Sequence, residues 1–127
     1  VPGCVDMANF WAIDTVPERY KDRNLYQWNP NITLMRTNVE ENIKMGEMIA
    51  AAANAATAPV AILLPLKGVS QLDSPGGDFW DPEADQACYD AIKQNLKPGI
   101  PMIEMDYNIN DPEFADRCAE SLLDMLD

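Results

Sequence analysis

Two cations stand where apolar runs end. The run 32-ITLM-35 leads into Arg36-Thr37, and 60-VAILLPL-66 leads into Lys67-Gly68, with Ser70 and Asp73 close behind. Cations so placed can hold an anion, and the chain has few to spare, with 9 Lys and Arg against 21 Asp and Glu. Two more polar stretches qualify as site material: Gly3 to Asn9, containing Asp6, and Asp106 to Asp111, containing Asn108 and Asn110. If the apolar runs are strands of an open parallel sheet, all four segments gather at the strands' carboxyl ends, where ligands lie in such sheets. Helices starting after Thr37, Asp81 and Asp111 would add a favourable dipole for negative charge. Asp6, Asp73, Asp106 or Asp111 could hold Mg²⁺ or move a proton.

Several of these residues also have plainer roles. Asp81-Pro82-Glu83 and Asp111-Pro112-Glu113 each combine an N-cap, proline at the first helical position and acid in the first turn. Thr37-Asn38-Val39-Glu40 has the spacing of a capping box. Gly76-Gly77 reads as a turn, because neither phosphate-binding glycine pattern surrounds it. Cys88 and Cys118 fall on apolar helix faces and read as packing residues. Cys4, beside Gly3 in a rim loop, is the one thiol placed to react. Trp11, Trp28 and Trp80 sit in loop contexts, where they would cover a ligand or meet a partner.

The elements that must position these residues follow from periodicity. Residues 3 to 31 read as polar loop, with the opening VPGCVD as the tail of a strand cut short. Ile32 to Met35 is a short strand, and a helix runs from Thr37 to about Ala56 with Ile43, Gly46, Ile49, Ala50 and Ala53 inward. Val60 to Leu66 is a strand covered on both faces. A helix from Asp81 to about Leu96 turns Ala84, Ala87, Cys88, Ala91 and Ile92 inward. Ile100 to Asp106 is the next strand, and a last helix carries an apolar stripe of Phe114, Cys118, Leu122 and Met125. Alternation of strand and helix predicts an α/β fold with a parallel sheet and right-handed crossovers.

Composition limits the function. The chain has 127 residues, enough for one domain, and 47% are hydrophobic. A net charge of -12 repels nucleic-acid phosphates and anionic membranes. The uncharged stretch from Met48 to Leu66 is broken by Asn54, Thr57, Pro59 and Pro65, so it reads as helix then strand and not as a membrane span. No histidine is present, which removes internal Ser-His and Cys-His pairs. Three cysteines without CxxC spacing predict reduced thiols, no metal centre and a cytoplasmic protein.

The stretches 2-PGCVDMANF-10, 14-DTVPERY-20, 29-NPNITLMRT-37 with 40-EEN-42, 60-VAILLPLKGVSQLDSPGGDFWDPEAD-85 and 104-EMDYNINDPEFAD-116 together resemble the C-terminal part of the Tm-1-like ATP-binding family. They cover nearly the whole chain in order. The chain departs from the family pattern at Trp28 and Asn108, where members carry histidine. The resemblance implies a Rossmann-like parallel sheet with flanking helices over residues 1–127, as a piece of a longer, two-domain protein. It implies ATP, with Mg²⁺, as a ligand of that longer protein, although its glycine-rich nucleotide stretch belongs to the other half. This half would contribute Gly3, Asp6, Asn9, Arg36, Thr37, Lys67, Gly68, Ser70, Asp73, Asn108, Asn110 and Asp111 to an interdomain cleft for a nucleotide or small anionic metabolite. The expected partners are the N-terminal domain of the same protein and a second copy in a homodimer. The rival reading is a protein-recognition or dimerisation module without catalysis, illustrated by a plant member that acts in antiviral resistance.

Overall fold

The computed structural model describes residues 1–126. Five strands, β1 (Met7–Phe10), β2 (Leu25–Asn29), β3 (Ile32–Arg36), β4 (Ile62–Pro65) and β5 (Met102–Met105), accompany three helices, α1 (Val39–Ala55), α2 (Pro82–Asn95) and α3 (Pro112–Leu126). The α/β class holds, but the strands divide into two sheets. β4 and β5 pair in parallel, Ile62 opposite Met102 and Leu64 opposite Glu104. β3 belongs to a separate antiparallel sheet of order β1-β3-β2.

That second sheet corrects the expectation for residues 3 to 31. The segment carries two strands and two single 3-10 turns, at Ile13–Thr15 and Glu18–Tyr20. Its strands are short and mostly half-exposed, so the alternation that marks a strand is weak, and a bulge between Gln27 and Asn29 breaks it further. The first six residues contain no strand; the β-strand begins at Met7.

Helix α1 starts one residue later than the Thr37 spacing predicts. Asn38 is the N-cap, its side chain accepting from the Glu41 N–H at 2.9 Å while Glu41 accepts from the Asn38 N–H at 2.8 Å. Thr37 is engaged elsewhere, donating its hydroxyl to the Val5 carbonyl at 2.7 Å. Asn42, Gly46, Ala50 and Ala53 form the buried face, and Ile43 is exposed. Gly46 is needed for the approach to α2: a Cβ there would lie 2.4 Å from the Cys88 carbonyl oxygen. Asp81 caps α2 as expected, accepting from the Ala84 N–H at 3.1 Å. Asp111 instead accepts from the Asn108 N–H at 2.8 Å, so its carboxylate closes the preceding turn.

There are two apolar centres. One joins Ala53, Ile62, Leu64, Val69, Cys88, Tyr89 and Ile92 beneath α1 and α2; the other joins Leu34, Leu72 and Phe79 against the antiparallel sheet. The loop after β4 links them, giving Val69 to the first and Leu72 and Phe79 to the second. Among the described residues, no helix is long and apolar enough to cross a membrane.

Candidate functional site

Three segments distant in sequence meet around the loop from Lys67 to Asp73. The Cys4 N–H donates to the Val69 carbonyl at 2.9 Å, and the Ile109 N–H donates to the Gly68 carbonyl at 3.0 Å. Gly68 has φ +106°, and a Cβ on it would stand 1.8 Å from the Asp73 carbonyl oxygen, so the turn closes only with glycine. Asn108 fastens the loop from the other side. Its amide nitrogen lies 3.0 Å from the Lys67 and Ser70 carbonyls and 3.1 Å from that of Asp73. Asp73 Oδ2 accepts from the Val69 N–H at 2.8 Å. Gly3 completes the junction, since a Cβ there would meet the Ile109 side chain at 3.2 Å.

Where these segments face β1 and β3, they leave a cleft of about 480 Å³. Its apolar lining comes from Met7, Trp28, Ile32, Leu34, Val69, Leu72 and Ile109; its polar lining is Cys4, Asn9, Ser70, Gln71 and Asn110. Among the described residues, no charged one lines it. The volume lies within the range of small-molecule sites, and an apolar wall with a few convergent polar groups is their usual composition. Of the residues selected from sequence, Asn9, Ser70 and Asn110 line the cleft. Gly3, Gly68, Asn108 and Asp111 build its frame. Trp28, expected to cover a ligand or meet a partner, lines the cleft too, from β2; Gln71 and Ile109 were not singled out.

Arg36 and Lys67, the two cations chosen for an anion, diverge. Arg36 is buried, and its guanidinium binds Asp85 at 2.7 Å, Asp73 at 3.3 Å and the carbonyls of Phe79 and Asp81 at 2.9 and 3.3 Å. Its donors are committed to protein acceptors. Lys67 is exposed and pairs with the exposed Asp106 at 3.1 Å, an arrangement worth about 0–1 kcal/mol in water. Thr37 is buried behind β3, accepting from the Asn42 side-chain amide at 3.0 Å.

Behind the cleft lies a buried acidic group. Asp6 accepts from the Ser70 hydroxyl at 2.6 Å, and Ser70 Oγ in turn accepts from the Leu72 and Asp73 N–H groups at 3.1 and 3.0 Å. Burial raises the Asp6 pKa, the Ser70 hydrogen bond opposes that, and the negative Asp73 adds to it. Asp85 is pushed up to about 7, first by burial and then by Asp73, against the pull of Arg36. One guanidinium therefore serves buried carboxylates that cannot all ionise at low cost. Asp85 escaped selection because an acid in a first helical turn already has an explanation. The overlooked signal was its spacing from Cys88 and Ile92, which puts a carboxylate on the inward face. The Cys4 thiol is raised by burial and by Asp6, so it is not a thiolate primed for attack. Among the described residues, no three acidic, thiol or imidazole side chains come together as a metal set.

The uncharacterised protein family UPF0261, C-terminal domain, matches residues 1–126. A UPF0261 protein of Clostridium tetani is 45% identical over 99% of this chain and 31% of its own length. One from Mesorhizobium japonicum is 47% identical over 94% of the chain, again 31% of its own length. The ToMV resistance protein Tm-1(GCR237) of Solanum lycopersicum is 38% identical over 97% of the chain and 17% of its own length. The chain thus spans under a third of these relatives.

Proposed function

Because the chain belongs to the UPF0261 family as its C-terminal domain, we propose that it supplies one wall of a small-molecule site in a longer protein. The observation that carries this reading is the convergence of Asn9, Ser70 and Asn110, from three separate segments, on one uncharged cleft of about 480 Å³. The cleft suits the neutral ring of a nucleotide. Trp28 offers an aromatic surface for stacking, and the amides of Asn9, Gln71 and Asn110 offer donors and acceptors to ring edges.

A triphosphate finds no cation in that lining. In this reading ATP or a related anionic metabolite lays its ring here, and its phosphates, with any Mg²⁺, point toward the N-terminal half across an interdomain cleft. Lys67 is this chain's contribution to the charged side, once it turns from Asp106. Arg36, Asp73, Asp6 and Thr37 act as the frame behind the wall. The parallel pair β4-β5 is then part of a larger Rossmann-like sheet completed by the rest of a cytoplasmic, homodimeric protein.

The test is titration of the full-length family protein with ATP and with adenosine, followed by fluorescence and calorimetry. Asn9→Ala with Asn110→Ala should weaken both ligands at least tenfold. Lys67→Ala should weaken ATP more than adenosine. Binding that is unchanged in the double variant, with both proteins folded, overturns the assignment of the cleft.

A further inference from the structure

Helix α3 is packed on one side only. Its buried residues are Phe114 and Ser121, while Leu122, Leu123 and Leu126 are 56%, 61% and 73% exposed. Leu126 stands three and four residues after the other two, which brings all three to one side of the helix. Beside α3 opens a hollow of about 620 Å³ whose walls include Pro59, Ala61, Pro101, Ser121 and Met125. It lies where β4 and β5 begin, whereas the cleft above lies past the end of β4. None of its lining residues is shared with the cleft.

Two further observations show this region to be incompletely covered. Ser121 lines the hollow, and its hydroxyl oxygen is buried with no hydrogen-bond partner among the described residues, a condition costing about 1–3 kcal/mol unless something answers it. Among the described residues, β5 has a strand on one side only, and its Met102, Ile103 and Met105 are half-buried, although parallel strands are ordinarily covered on both faces.

The occupant follows from length and charge. The chain corresponds to 31% of each bacterial relative, and the family description makes it the C-terminal domain. Most of a family protein therefore lies outside it. A second copy fits poorly, because α3 carries Glu113, Asp116, Glu120 and Asp124 against Arg117, in a chain of net charge -12.

We propose that the leucine face of α3 and the adjoining hollow are the seat of the remaining polypeptide of the family protein. That polypeptide packs apolar side chains on Leu122, Leu123 and Leu126 and supplies the hydrogen-bond partner of Ser121. The proposal is independent of what the cleft binds.

The test uses the full-length family protein carrying this domain, with cysteine placed singly at Leu122, Leu123 and Leu126, and at Glu113 and Glu120 as controls. Maleimide labelling is read peptide by peptide by mass spectrometry. The leucine positions should label at least tenfold more slowly than the controls. Hydroxyl-radical footprinting of the unsubstituted protein should show the same protection, which covers the case of a variant that fails to fold. Labelling at control rates in folded protein overturns the proposal. Protection that disappears on dilution to monomers also overturns it, because a second copy would then be the cover.

Discussion

Ser70 donates its hydroxyl to Asp6 at 2.6 Å across 64 positions of sequence, and the same oxygen accepts from the Leu72 and Asp73 N–H groups. One small side chain thus holds the opening segment against the β4 loop and faces the cleft as well. Among the described residues, nothing bonds the other carboxyl oxygen of the buried Asp6, and Ser70 is the one side chain hydrogen-bonded to it.

Ser70→Ala should therefore cost about 1–3 kcal/mol, the price of a buried acceptor and two amides left unsatisfied. Denaturant unfolding measures the loss. Asp6→Asn made in the Ser70→Ala background should restore part of it, and a double-mutant cycle gives the coupling. Additive losses would mean that the two residues act separately.

Gly46 and Gly76 should respond to alanine for different reasons. At Gly46 the new methyl would lie 2.4 Å from the Cys88 carbonyl oxygen and 2.7 Å from the Ala91 methyl, so α1 must lift off α2. The expected loss is about 1–3 kcal/mol of overpacking, which exceeds the roughly 1 kcal/mol that alanine gains in a helix. At Gly76 nothing lies within 4 Å, but φ is +83°, so backbone strain alone should cost about 1–2 kcal/mol. Thermal unfolding distinguishes the two from wild type, and a wild-type melting temperature for Gly46→Ala would contradict the close helix contact.

Acidity should favour the fold through Asp85. Its carboxyl in the folded protein is raised to about 7, against roughly 4 in an unfolded chain. Below pH 4 it is protonated in both states and its contribution is complete. As pH rises toward 7 the unfolded chain ionises first, the folded chain binds more protons, and that contribution is lost. Asp85→Asn should flatten stability between pH 4 and 7 while leaving Arg36 its contact with Asp73. An unchanged slope would place the raised carboxyl elsewhere.

Thiol reactivity should follow exposure and local charge. Cys4 is exposed, and burial of its sulfur together with Asp6 raises its pKa, so labelling should be slow at neutral pH and accelerate at alkaline pH. Cys88, buried and raised to about 11, should react only after unfolding. Stopped-flow absorbance with a disulfide reagent separates the two. Fast reaction of Cys4 at pH 7 would indicate a thiolate-stabilising environment that these contacts do not supply.

The helices and the parallel strands were legible in the sequence because their signals are strong and local. Asp81-Pro82-Glu83 places a helix start, and the unbroken run from Val60 can be little but a buried strand. The antiparallel sheet was not legible, because Leu25–Asn29 pairs across a tight turn with Ile32–Arg36 and half of it faces solvent. Asn9, Ser70 and Asn110, chosen as strand-end residues, do line one cleft, although Asn9 lies within β1 and not in a loop after a strand. The fate of Arg36 was hidden, since its partner Asp85 lies 49 residues away and reads locally as helix-start chemistry. Leu122 was expected inward because periodicity reports an apolar face but not which polypeptide covers it.

The loop from Lys67 to Asp73 is tied by Cys4, Asn108, Ile109 and its own Asp73 before any ligand arrives. A wall assembled in advance leaves a mark on time courses. Ligand capture should proceed in one second-order phase, without a slow concentration-independent step for loop ordering. Differences among ligands should then appear almost wholly in how long each one stays.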